Sequence, residues 1–158
     1  MFRAGELLAR DCMAKGVHCW LGPTINNPRS PAGGRSFESY SEDPHLSGIL
    51  AAAIIQGCES LGILATPKHF VCNDQEHERR AVDTIVTERA LREVYLRPFQ
   101  IVARDASPAC LMTAYNKVNG SHVSHSERFL KHILRDEWKW NPLTVSDWYV
   151  CQKFLSVP

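Results

Sequence analysis

Two kinds of apolar run alternate along this chain, one spaced like a helix face and one short and unbroken. Phe2, Leu7, Leu8 and Met13 stand among charges as an approximate helical stripe, and Gly16 follows where a helix would end. A helix is therefore expected over Met1 to Lys15. Val17 to Leu21 is a short apolar run closed by Gly22-Pro23, which predicts a buried strand feeding the long polar loop Asn26 to Asp43, rich in Gly, Pro, Ser and Asn. From Pro44 an alanine-rich helix is expected to reach about Leu61, where Gly62 stops it, and Ile63 to Ala65 is a second strand ending near Lys68. Thr87 is a suitable N-cap for a helix carrying Leu91, Val94, Tyr95, Phe99 and Val102 toward a core, with Pro98 expected to kink or split it. Cys110 to Ala114 predicts a third strand, Ser126 to Trp138 a third crossover helix and Leu143 to Ser146 a fourth strand.

The order α-β-α-β-α-β-α-β implies an α/β fold with right-handed crossovers and a parallel sheet covered on both faces. A doubly wound sheet and a barrel both fit that order. Each predicted strand ends in a chemically rich loop, as at the carboxyl face of a (β/α)8 barrel, whereas Gly33-Gly34 has neither the spacing nor the following helix of a phosphate-binding turn. A full barrel takes about 250 residues. The expected fold is thus an incomplete (β/α)8 TIM barrel of about four βα units.

Composition narrows the partner. The chain has 158 residues, 44% of them hydrophobic, enough for one core and too few to make two domains the expectation. With 18 Lys and Arg against 17 Asp and Glu the net charge is +1, which offers no broad field for nucleic acid or an anionic membrane. A neutral small molecule is the expected partner. No run approaches the roughly 20 apolar residues of a membrane helix, and Met1 to Lys15 is too charged for a signal-peptide core. The six cysteines, Cys12, Cys19, Cys58, Cys72, Cys110 and Cys151, contain no Cys-x-x-Cys pair and read as buried thiols, which favours a reducing, cytoplasmic setting. Secretion stays open for a longer relative, and so does a loop disulfide.

Candidate chemistry collects after the strands. Asp147 directly follows Leu143 to Ser146 and precedes Trp148, so a carboxylate at a strand's carboxyl end stands beside an aromatic able to stack on a sugar. Read alone, it serves equally as a turn or N-cap residue. Lys68 and His69 follow the second strand and can donate to hydroxyls, or they are a surface Lys and a partly buried His. Arg35, in Gly33-Gly34-Arg35-Ser36-Phe37-Glu38, can clamp two hydroxyls, or it is a solvated loop residue paired with Glu38 or Glu42. Met112, Tyr115 and Asn116 close the third strand, where Tyr115 can bond a catalytic carboxylate. The polar cluster Asn73, Asp74, Glu76, His77, Glu78 and Arg79 has no roles defined by its pattern. His69, Cys72 and His77 match no metal-ligand spacing, so no metal or other cofactor is expected.

The segments LGPTINNPRSPAGGRSFESYSEDPHLSG, ATPKHFVCNDQEHERR, VTERALREVYLRPF, MTAYNKVNG, ILRDEWKW and SDW occur in the order and approximate spacing of family 3 glycoside hydrolases, and over about residues 4 to 148 the chain resembles their β-glucosidases. The resemblance implies a retaining hydrolase that releases terminal non-reducing β-D-glucosyl residues from a β-glucoside or short β-glucan oligosaccharide. It makes Asp147 the nucleophile, Arg35, Lys68 and His69 the ligands of glucose hydroxyls, Met112 and Tyr115 pocket-lining residues, and Trp148 an aromatic wall. Lys68, His69 or Arg35 is expected to favour the ionised form of Asp147. Neighbouring specificities, β-xylosidase and β-N-acetylglucosaminidase, share the fold; Asn73-Asp74 does not fit the Gly-rich, His-bearing loop of the latter.

The resemblance also has gaps. The acid/base Glu and an early sugar-gripping Asp of such enzymes have no counterpart in these residues, so truncation at both ends and little or no glucosidase activity are expected. Asn141-Pro142 replaces an expected acidic residue and glycine. Residues 1–148 are read as the partial barrel domain and Tyr149 to Pro158, standing where a Gly-containing turn was expected, as a divergent tail. A non-catalytic carbohydrate-binding or interaction protein is the alternative of another class. Oligomeric state is left open by the pattern.

Overall fold

The computed structural model describes residues 1–150. Helix α1 spans Phe2–Ala14 and α2 Pro44–Glu59. Asp43 caps α2 by accepting from the backbone N–H groups of His45 and Leu46, at 2.8 and 3.4 Å, and Pro44 occupies a first-turn position whose missing N–H costs nothing. Gly62, at φ +84°, turns the chain out of that helix toward the next strand in a conformation other residues avoid.

α2 is apolar around most of its circumference because it is covered on two sides, by α1 and by α4 (Arg97–Asp105). The α1–α2 crossing is a backbone-to-backbone contact. A Cβ on Gly57 would lie 2.0 Å from the Phe2 carbonyl oxygen, and one on Gly5 would lie 2.1 Å from that of Ile54. Gly57→Ala is therefore expected to destabilise the chain by about 1–3 kcal/mol, since backbone cannot move aside as a side chain can. Urea unfolding checks this, and an unchanged midpoint would mean that the helices are not in such close contact.

The parallel strands run in the spatial order β1 (Cys19–Trp20), β2 (Leu64–Ala65), β4 (Cys110–Thr113) and β7 (Leu143–Ser146). Cys19 pairs with Leu64, and Cys110 to Thr113 pair with Leu143 to Ser146 in full register. Single bridges, Thr24 with Lys68 and Phe70 with Thr113, continue the pairing past β2. The bonds from Ile25 N–H to Lys68 O (2.8 Å) and from Phe70 N–H to Met112 O (2.8 Å) carry it to the strand ends. The fold is thus mixed α/β, with helices between parallel strands.

The helix after Thr87 splits beside Pro98 as expected, while its winding and two other features differ from the sequence expectation. The long helix after Thr87 breaks at Leu96, before Pro98: Glu88–Ala90 (α3) passes into a π-wound turn, Leu91–Tyr95, closed by Leu96 N–H to Leu91 O, and α4 then starts with Pro98 in its first turn. The segment Arg128–Glu137, expected to be an ordinary crossover helix, is π-wound as well. Three two-residue strands, β3 (Asp83–Thr84), β5 (Lys117–Val118) and β6 (Ser121–His122), form a small separate sheet in which β3 pairs parallel to β5.

The core lies between the strands and the helical layer. Phe70, fully buried, meets Phe99, Phe129 and Trp138 edge-on, with ring centroids 5.2, 6.1 and 6.2 Å away. Cys58, Cys72 and Cys110 are buried, Cys12 and Cys19 half-buried, and all five are free thiols; Cys151 falls outside the described residues. No described helix is long and apolar enough to cross a membrane.

Candidate active site

The ladder between β4 and β7 extends one residue further. Asp147 N–H donates to Thr113 O at 3.2 Å, so the residue after the strand is still held by the sheet and its carboxylate is fixed at the strand's carboxyl end. Asp147 is 5% exposed. Its Oδ1 accepts from the Trp148 N–H at 2.8 Å, while Oδ2 lies 3.6 Å from His69 Nε2.

A pocket of about 250 Å³ opens in front of this carboxylate, a little under the roughly 300–1,000 Å³ range of small-molecule sites. Arg35, Lys68, His69, Met112, Tyr115, Asp147 and Trp148, drawn from four separated stretches of sequence, all line it. Leu21 and Arg79 join them. Arg79 was legible only as part of a polar cluster; here its guanidinium lies 4.8 Å over the Tyr115 ring and donates to Glu76 at 2.8 Å. Asn116 serves the structure instead, donating to Val71 O and Lys117 O at 3.2 and 3.1 Å.

His69 stands at the centre of the wiring. Two non-prolyl cis peptide bonds, Lys68-His69 and Phe70-Val71, lie in this stretch. Asn26 clamps His69 on both sides of its backbone: its amide donates to His69 O at 2.9 Å and its carbonyl oxygen accepts from His69 N–H at 2.8 Å. That same oxygen lies 3.1 Å from Nδ1, and Arg35 Nη1 lies 3.0 Å from Nε2. A guanidinium only donates, so Nε2 must be the acceptor and the proton must sit on Nδ1. Burial, reinforced by the charges of Arg35 and Lys68, pushes the His69 pKa down to about 3.

Two expectations change. The 3.6 Å approach of His69 Nε2 to Asp147 Oδ2 is not an ion pair, because the imidazole is neutral and Nε2 carries no proton. His69 also has no free N–H in this arrangement, since Nδ1–H faces Asn26 and Nε2 accepts from Arg35. Arg35 and Lys68 remain as the charges acting on Asp147. Burial holds the Lys68 ammonium below its ordinary pKa, partly offset by Glu38. Burial, then the charge of Asp147 and a hydrogen bond to it, raise the Tyr115 phenol, keeping it protonated.

Arg35 was read as either a ligand-binding residue or the partner of a nearby glutamate. It is placed to be both, since it lines the pocket while its Nε donates to Glu38. Trp148 is 58% exposed and lines the pocket. No group of three or more His, Cys, Asp or Glu side chains among the described residues is arranged to hold a metal ion.

Behind Arg35 and His69 lies Asp74, its side chain 2% exposed, bonded to Asn27 N–H at 3.2 Å and 3.9 Å from Arg29 Nε. Burial raises its pKa to about 6, opposed by Arg29. The two buried groups tilt stability in opposite directions. His69 titrates below its unfolded value of about 6.5, so its contribution is full above that pH and is lost as pH falls toward 3. Asp74 titrates above its unfolded value of about 3.8, so its contribution is full below that pH and is lost as pH rises through 6. Asp74→Asn is accordingly expected to raise stability at pH 7.5 by on the order of 2 kcal/mol and to change it little at pH 4.5. Urea unfolding at both pH values tests the sign, and an equal effect at the two would exclude burial of the charge as its cause.

Comparison with known proteins assigns this architecture to a class. The chain belongs to glycosyl hydrolase family 3, matching its N-terminal domain over residues 2–156. It is 67% identical over 144 residues to a probable β-glucosidase H of Aspergillus flavus, covering 91% of this chain and 17% of that protein. It superposes on a β-glucosidase from Kluyveromyces marxianus solved in complex with glucose, with a TM-score of 0.93 and 52% identity over 94% of this chain and 18% of the other. A Thermotoga neapolitana β-glucosidase 3B, also complexed with glucose, gives a TM-score of 0.92 and 47% identity over 94% of this chain and 21% of the other. The chain therefore spans less than a quarter of the length of each of these relatives.

Proposed function

We propose that this chain carries the nucleophile and the sugar-binding face of a retaining β-glucosidase site, acting on a β-glucoside or short β-glucan oligosaccharide. The observation that carries the reading is Asp147: a buried carboxylate at a strand's carboxyl end, one oxygen tied to the Trp148 N–H, facing a pocket of hydrogen-bonding groups. The glucose complexes of two relatives favour glucose as the sugar. Parallel strands β1, β2, β4 and β7, with helices between them, support about four βα units of an incomplete (β/α)8 barrel with this site at its carboxyl face.

In the first step Asp147 Oδ2 attacks the anomeric carbon. The bond to the aglycone oxygen breaks, that oxygen keeps the electron pair, and a glucosyl ester forms on Asp147. Water then attacks the same carbon and returns the carboxylate. Each step also moves a proton at the aglycone or water oxygen, the work of a second carboxyl group. Asp147 is the one carboxylate lining this pocket among the described residues, so no residue here is given that role. Arg35 and Lys68 are placed to donate to sugar hydroxyls, His69 to hold Arg35 at the pocket wall, and Trp148 to cover one face of the ring.

The test uses the full chain and 2-deoxy-2-fluoro-β-D-glucosyl fluoride, whose fluoride leaves without protonation. An intact mass raised by one fluoroglucosyl group, mapped to the peptide containing Asp147, is expected. A folded chain that stays unlabelled, or is labelled elsewhere, would sink the reading. Glucose binding without labelling would favour a non-catalytic carbohydrate-binding protein.

A further inference from the structure

Glu38 does not line the glucosyl pocket, yet the pocket's wiring converges on it. It ends a single 3-10 turn, Ser36–Glu38, which brings its carboxylate back to Arg35. Oε1 accepts from Arg35 Nε. Oε2 accepts from the Thr24 hydroxyl at 2.6 Å and lies 3.9 Å from Lys68 Nζ. Both oxygens are thus engaged, and both cations assigned to sugar binding share this one counter-charge.

The consequences run toward the nucleophile. With Nε fixed on Glu38, the planar guanidinium has its Nη1 directed at His69 Nε2, and that donor fixes the imidazole proton on Nδ1 against Asn26. His69 then presents no N–H to Asp147 Oδ2, 3.6 Å away, so that oxygen receives no hydrogen bond from the imidazole. We propose that Glu38 is a positioning residue, which holds Arg35 and Lys68 at the sugar and, through Arg35, sets the His69 tautomer that withholds an imidazole N–H from the nucleophile. This rests on the reading of Asp147 as a glycosidase nucleophile only in its last link; the wiring from Glu38 to His69 is independent of it. A simple surface ion pair would predict none of this, since exposed pairs of this spacing contribute little and leave distant side chains untouched. Burial opposes the ionised carboxylate, and the bonds from Arg35 and Thr24 outweigh it, holding Glu38 below its ordinary pKa and charged.

The experiment compares the full chain with its Glu38→Ala and Glu38→Gln variants by two readouts. The first is the ring tautomer of His69 from imidazole nitrogen NMR, and the second is glucose affinity by calorimetry. Wild type is expected to show His69 protonated on Nδ1. Glu38→Ala is expected to show a substantial Nε2-protonated population and glucose affinity lowered at least about tenfold, the loss that follows when a charge-assisted contact is disordered. Glu38→Gln keeps an acceptor for Arg35 Nε, so it is expected to restore the Nδ1 tautomer and part of the affinity. Wild-type tautomer and affinity in Glu38→Ala would overturn the proposal. Should that variant fail to fold, Glu38→Gln decides: affinity reduced about threefold or more supports the role of the charge, and unchanged affinity overturns it. A wild-type chain that binds no glucose counts against the functional reading alone, and the tautomer contrast then decides the role of Glu38.

Discussion

Asp147→Asn is expected to abolish covalent labelling of the chain by the fluoroglucosyl reagent while leaving it folded. The substitution is nearly isosteric, and an amide oxygen still accepts from the Trp148 N–H, so the turn after β7 keeps its bond. What is lost is the anionic oxygen. An amide is a poor nucleophile, and removing a group that forms the covalent intermediate costs at least about a thousandfold in rate. Time courses followed by intact mass would show wild type labelled and the variant unlabelled over the same interval. A variant labelled within tenfold of the wild-type rate would mean that another residue attacks. Glucose affinity separates chemistry from binding here, because the donors of Arg35 and Lys68 are untouched.

The second large effect is on stability. Phe70→Ala is expected to cost about 3–5 kcal/mol, because the ring is fully buried and three aromatic rings close around the space it would vacate. Against a typical total stability of about 5–15 kcal/mol that is a large share. The midpoint of thermal unfolding should fall by on the order of 10 °C for a chain of this size. Phe70 also links the sheet, donating to Met112 O and accepting from Ala114 N–H, so the loosened ring sits next to His69 in the chain. A fall of less than about 4 °C would show that the aromatic cluster contributes far less than its burial suggests.

The parts of the fold that were legible are those whose cause is local. β4 and β7 appear within a residue of their expected ends because unbroken apolar runs bounded by breakers have few other uses, and α2 starts where Asp43-Pro44 says it should. The small sheet was not legible, since Asp83–Thr84, Lys117–Val118 and Ser121–His122 are two-residue strands with no apolar period to read. The π-wound turns were hidden for a related reason: an apolar stripe reports a helical face but not whether one extra residue is wound into a turn.

The site divides the same way. Residue types were readable at strand ends, and the seven candidates do share one pocket. Their electrostatic state was not readable, because it is set by partners far away in sequence. His69 is neutral through burial and through Arg35, 34 residues distant, and its tautomer is fixed by Asn26, 43 residues distant. Glu38 was concealed by its spacing, as a glutamate three residues after an arginine reads as an ordinary surface pair.

The exposed indole of Trp148 has a practical consequence. Of the four tryptophans, Trp140 is buried and Trp20 and Trp138 are half-buried, while Trp148 stands largely in water at the mouth of the pocket. The molecule thus carries its own optical gauge of occupancy. A sugar seated against that ring displaces solvent from one fluorophore and leaves the other three unchanged, so a blue shift in emission and reduced quenching by iodide would report the filled pocket without any added dye.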